Sequence, residues 1–136
     1  MPKKLKLPPE NFDLECSTVW SFPRRWNWMT HNSKYRWNWS PEVVRNLILR
    51  YSQEWDYLLD PMIWGWTTAI EAKLLNRNLL CYDINPNAIE LTNKALDFKI
   101  DPESSSGWQE NNNSVWQNAK IKVIHHNATL KNEELK

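Results

Sequence analysis

An α/β fold on an incomplete, doubly wound parallel sheet of about three strands is predicted by three features of this 136-residue chain. Two short apolar runs each end in an acid, Tyr57–Asp60 and Leu79–Asp83, and a third run follows at Lys120–Ile124. Helical stretches separate the three runs, and such alternation gives parallel pairing through right-handed crossovers. Between the first run and its helix lies DPMIWGWTT, a tight turn around Gly65, and Asp83 stands 18 residues beyond that glycine. This order builds one half of a nucleotide-type cofactor site, whose ribose-binding acid is expected about 20 residues past the loop.

Each element has its own signal. The opening MPKKLKLPPEN mixes Lys with Pro, so residues 1–17 read as an extended basic arm and 18–136 as a partial cofactor-binding domain. Thr18 to Ser40 is too irregular for one helix or strand and too aromatic for disorder, which predicts an ordered, packed loop. Ser40 as N-cap and Pro41 at the first helical position start a helix that reaches about Tyr51. Its buried face is expected to carry Val43, Val44, Leu47, Ile48 and Tyr51. The next helix is Thr67–Asn76, with Ala69, Ile70 and Leu74 toward the sheet. Asn85 and Pro86 open a third helix, extended by Ile89, Leu96 and Phe98 to about residue 98. Asp101 to Asn118 is polar and Ser/Asn-rich, hence a loop. Three strands are few for a parallel sheet, which normally has both faces covered, so the chain reads as a piece of a larger fold.

Composition is that of a globular domain, 41% hydrophobic and 24% charged, with a net charge of +1 that selects no partner. The signs are uneven: nine Lys/Arg against four Asp/Glu in residues 1–51, and eight against twelve in the remainder. A basic leading segment suits phosphate contact on one face, or a solvated arm. Cys16 and Cys81 lack the spacing of a zinc or redox pair, and Cys81 sits in an apolar strand as a core residue. No run nears the roughly 18 apolar residues of a membrane span, and no apolar stretch of a signal peptide follows PKKLK. The expected location is the cytoplasm, with no membrane partner. His125 and His126 are adjacent in a strand, so they point to opposite faces and do not chelate as a pair. His31 has no carboxylate or cysteine at useful spacing and is expected to hydrogen-bond within its loop. No metal is expected.

In a strand-loop-helix site the loop backbone must approach the ligand closely, and glycine permits both that approach and a positive φ. Thr67 and Thr68 begin the following helix, where unpaired N–H groups and partial positive charge favour an anionic part of the ligand. With Asp60, Pro61, Thr67 and Thr68 in register, DPMIWGWTT resembles the cofactor motif of S-adenosylmethionine-dependent DNA methyltransferases that modify the exocyclic amine of adenine or cytosine. DINPNAIELT is similar to that family's second cofactor motif and HHNATL to its third, and the resemblance covers nearly all of residues 17–130.

The resemblance implies a Rossmann-like methyltransferase fold, S-adenosylmethionine as cofactor and DNA as partner. By it, Asn38, Trp39 and Ser40 would line the methionyl carboxylate. Asp60, Pro61, Trp64, Gly65, Trp66, Thr67 and Thr68 would surround the amino acid part, and Asp83 would accept the ribose hydroxyls. Ile84 would lie against the adenine, with Asn127 and Ala128 where the family usually has Asp-Ala beside that ring. The family's catalytic segment is Asp, Asn or Ser, then Pro-Pro, then an aromatic. Here the one Pro-Pro pair, Pro8 and Pro9, is followed by Glu10. The expectation is an N-terminal fragment without a catalytic residue, completed by a C-terminal part or by a second chain.

At average usage a chain of this length carries about ten glycines, yet it has 2 glycines and 10 tryptophans. Trp20, Trp28 and Trp39 stand where the family accepts an aromatic. Trp26, Trp37, Trp55, Trp64 and Trp66 stand where it usually has glycine, and Trp108 and Trp116 lie in the variable loop. One codon read as tryptophan under one genetic code and as glycine in the organism of origin accounts for both numbers. A second reading keeps the tryptophans as a noncatalytic surface for single-stranded nucleic acid, interleaved with Arg24, Arg25, Lys34 and Arg36. Each stacked base is then worth about 1–3 kcal/mol. A third keeps the cofactor and makes RNA or a small molecule the substrate.

Overall fold

The computed structural model describes residues 6–34, 38–98 and 119–125. Six elements alternate along it: α1 (Pro41–Tyr51), β1 (Tyr57–Asp60), α2 (Thr67–Leu74), β2 (Asn78–Asp83), α3 (Pro86–Ala95) and β3 (Ile121–His125). The strands form one parallel sheet in the order β1-β2-β3, with Leu58 opposite Leu79 and Cys81 opposite Val123. This is the expected α/β arrangement, a partial Rossmann-like fold.

Two helices end earlier than their apolar spacing suggests, for separate reasons. Helix α2 stops at Leu74 because Asn76 turns left-handed at φ 57 and the Arg77 N–H reaches back 2.8 Å to the Ala72 carbonyl. That is a C-terminal cap of the kind asparagine tolerates. Helix α3 stops at Ala95, and Phe98 turns inward to join Trp28, Met29, Trp66, Ile70 and Leu74 in one buried cluster. The third strand lies one residue later than its pattern suggests, since the Lys120 N–H donates to the Asn78 side chain at 3.0 Å.

Leu58, Leu79, Cys81, Ile121 and Val123 face one side of the sheet and pack against Ala69 and Ala72 of α2 and Ile89 of α3. Helix α1 joins the same side through Val44 and Ile48, against Leu75 and Leu58. On the opposite side, Tyr57 and Leu59 of the edge strand β1 are 74% and 60% exposed. Among the described residues, then, the helices pack on one face of the sheet; on the other, Tyr57 and Leu59 of the edge strand are open while Tyr82 of β2 is buried.

The face that α1 buries is not the expected one. Val44 and Ile48 are buried, but Leu47 and Tyr51 are exposed, and Glu42, Arg45 and Asn46 take their place inside. The polar side goes in because the loop and arm bring partners to it. The Glu15 N–H donates to the Asn46 side chain at 2.8 Å, and the Asn46 amide donates to the Glu42 carbonyl at 2.9 Å. Residues 6–17 form neither helix nor strand, and Leu7 and Phe12 pack on the buried cluster while the Lys6 carbonyl accepts from the Met29 N–H at 2.6 Å. No helix among the described residues is long and apolar enough to cross a membrane.

Candidate functional site

The site grows from the end of β1. Past Asp60 and Pro61 the chain dips inward at Ile63, 3% exposed, whose N–H donates to the Tyr82 carbonyl of β2 at 2.9 Å. This bond ties the loop to the neighbouring strand. Trp64 then adopts φ 48, and its N–H donates to the Asp83 carboxylate at 2.8 Å. The other oxygen of Asp83 accepts from the Asn85 N–H, also at 2.8 Å. Asp83 is therefore buried, with both oxygens engaged by backbone, and Ile84 beside it is exposed.

Gly65 has no positive φ; the left-handed residue of the loop is Trp64. What Gly65 needs is space, because a Cβ there would meet the Asn38 side chain at 2.7 Å. Asn38 also lies against Thr67, whose hydroxyl is within hydrogen-bond distance of the Asn38 side-chain oxygen and of the Trp39 carbonyl. Asn38, Trp39, Gly65 and Thr67, from two separate stretches, thus meet at the start of α2. The first-turn N–H groups there have no acceptor within the helix. The Asn38 Nδ2 is buried with no hydrogen-bond partner among the described residues.

Behind Asn38 stands a supporting chain of charge. Arg25 donates to the Asn38 carbonyl at 2.7 Å, and burial lowers its pKa against the opposing pull of Glu42. The half-buried Arg25 guanidinium is thus engaged with the carbonyls of its own loop, Asn38 and Asn32. Ser40 stands at the N-cap position of α1, but its hydroxyl donates to Glu42, which also accepts the Trp26 N–H at 2.8 Å. Asp60 accepts the Met62 N–H at 3.2 Å, and Thr68 borders an apolar groove of about 310 Å³ with Trp39, Val43, Leu47, Tyr51 and Leu59. This groove opens at the free edge of β1 and reaches Trp39 and Thr68 at its other end.

Sequence reasoning missed a fully buried charged cluster. Glu71 of α2 is fully buried, and its Oε1 lies 2.7 Å from both the Trp28 and the His31 ring nitrogens, while Arg45 donates to its Oε2 at 2.7 Å. His31 therefore binds a carboxylate 40 residues away rather than its own loop. The available signal was an acid among the small and apolar residues Ala69, Ile70 and Ala72. Asn127 and Ala128 lie outside the described residues, as do Trp37, Trp108, Trp116, His126 and the loop from Asp101 to Asn118. Nor does any group of three His, Cys, Asp or Glu among the described residues gather as a metal site would.

A model of the DNA methylase family matches residues 2–94, from the arm through most of α3. The chain belongs to the DNA methylase family. No curated protein and no solved structure matches it significantly. The matched span of this DNA methylase contains both stretches that meet at Gly65, along with Asp83 and the Glu71 cluster.

Proposed function

We propose that this chain is the cofactor-binding part of an S-adenosylmethionine-dependent, site-specific DNA methyltransferase, acting in the cytoplasm on the exocyclic amine of adenine or cytosine. One observation carries the reading: the buried Asn38 Nδ2, without a partner among the described residues, sits at the uncapped start of α2, beside Gly65, where a Cβ would press on the Asn38 amide. A donor and a helix N-terminus together suit a carboxylate, such as that of a methionyl group. Asn38, Trp39, Ser40, Gly65, Thr67 and Thr68 would hold the amino acid end, with Asp60, Pro61 and the Trp64–Trp66 loop around it. Asp83 and Ile84 would take the ribose and adenine, and Asn127 and Ala128 the far side of the ring. Each Asp83 oxygen accepts one backbone N–H and keeps a second lone pair with which it would accept a hydroxyl.

The cofactor supplies a methyl group activated on a sulfonium; the chain binds and orients it. In this reading the chain's part is to hold the cofactor, and its residues carry no Asp/Asn/Ser-Pro-Pro-aromatic segment. The exposed Tyr57 and Leu59 and the apolar groove at β1 support docking there, because a parallel sheet is normally covered on both sides.

Calorimetric titration of S-adenosylmethionine tests the reading, on the chain with tryptophan and on a Trp64→Gly, Trp66→Gly form. The expected result is binding to the glycine form, weakened about tenfold by Asn38→Ala, the loss of roughly one hydrogen bond to a charged group. Absence of binding to both forms, with tight binding of short single strands, would replace this reading with the noncatalytic nucleic-acid module.

A further inference from the structure

The tryptophans differ in what the backbone asks of them. Among the described residues four non-glycine residues have positive φ: Met29 at 52, Trp55 at 73, Trp64 at 48 and Asn76 at 57. Asparagine tolerates this region, and only glycine enters it without cost to a Cβ. Met29 is held there by a buried side chain, 7% exposed. Trp55 and Trp64 are 40% and 46% exposed, and neither belongs to a buried cluster. Each stands at a turn flanking β1: the Trp55 N–H donates to the Asn76 carbonyl at 2.7 Å just before it, and the Trp64 N–H reaches Asp83 just after it. Trp28 is the opposite case, 1% exposed and bonded through its ring nitrogen to Glu71.

We infer that positions 55 and 64 are glycine in the protein as its own cells make it, through a codon that those cells read as glycine. The inference rests on two left-handed turns occupied by the bulkiest side chain, in a chain with 2 glycines and 10 tryptophans. The backbone bonds at both turns use N–H groups that glycine also has. Trp66 does not share the argument from backbone, since its φ is −86 and its ring is buried. A consequence that does rest on the proposed function is that glycine at 64 clears an indole from the cofactor loop.

The gene and the native protein decide the matter. Codons 55 and 64 are expected to be identical to each other and different from codon 28; a codon shared by all three overturns the inference. In native protein, the tryptic peptide from Tyr51 to Lys73 is expected to read glycine at 55 and 64 by fragmentation mass spectrometry; tryptophan at either overturns it. In the recombinant chain, Trp55→Gly is expected to raise the thermal midpoint while Trp28→Gly lowers it; an equal fall for both counts against the inference. Glycine in the native peptide with no cofactor binding would leave this assignment standing and remove the proposed function.

Discussion

On one side of α1, Glu42, Arg45 and Asn46 are almost completely enclosed; on the other, Leu47 and Tyr51 border an open groove at 44% and 77% exposure. The contrast teaches that burial here follows the supply of partners rather than hydropathy. An ionised group goes inside when it is paired and hydrogen-bonded, and the loop brings Trp28 and His31 to Glu71, which then receives Arg45. The apolar side has no such company among the described residues.

The contrast breaks most visibly at its polar centre. Glu71→Ala leaves the Arg45 guanidinium enclosed without its anion, and removing one partner of a buried pair costs about 3–5 kcal/mol. Denaturant unfolding is expected to show a loss on that scale; a loss below 1 kcal/mol would mean that water reaches the cluster. The covered sheet face gives an intermediate test. Burial, with Asp60 adding, pushes the Cys81 thiol up to about 12 from its ordinary 9.0. A raised folded pKa means stability that is complete below pH 9 and lost as pH climbs toward 12. At pH 8, alkylation is expected to take the exposed Cys16 at once and Cys81 only on unfolding. Stability should fall above pH 9 more in this chain than in Cys81→Ala. The smallest effect belongs to the open side: Leu47→Ser and Tyr51→Ser are expected to move stability by about 0.5 kcal/mol or less. Larger losses would show that the groove is filled.

Much of this arrangement was legible in residue order. β1 was readable to the residue, because a β-rich apolar run ends in Asp60 and Pro61 bars its continuation. The start of α1 was readable from Ser40 and Pro41, and the parallel pairing from alternation. The orientation of α1 was not, since its polar residues find partners 16 to 31 positions away along the chain, and hydrophobic periodicity is blind to such pairs. The approach of Asn38 to Gly65 was expected from a family resemblance, not from spacing. The glycine demand on either side of Gly65 was foreseen; the backbone makes it at residue 64, with φ 48, and not at residue 66, with φ −86, while Gly65 itself answers a steric demand.

The open flank of β1 has a consequence for how the chain behaves in company. Tyr57 and Leu59 project beside a row of main-chain groups with no neighbouring strand on that side among the described residues. Such a strip is a template: any extended polypeptide can zip onto it, a copy of itself included, and Asp56, Asp60 and Pro61 guard only its ends. Concentration thus acts on this molecule as an adversary, and any strand laid along β1 would also serve as its protection against aggregation.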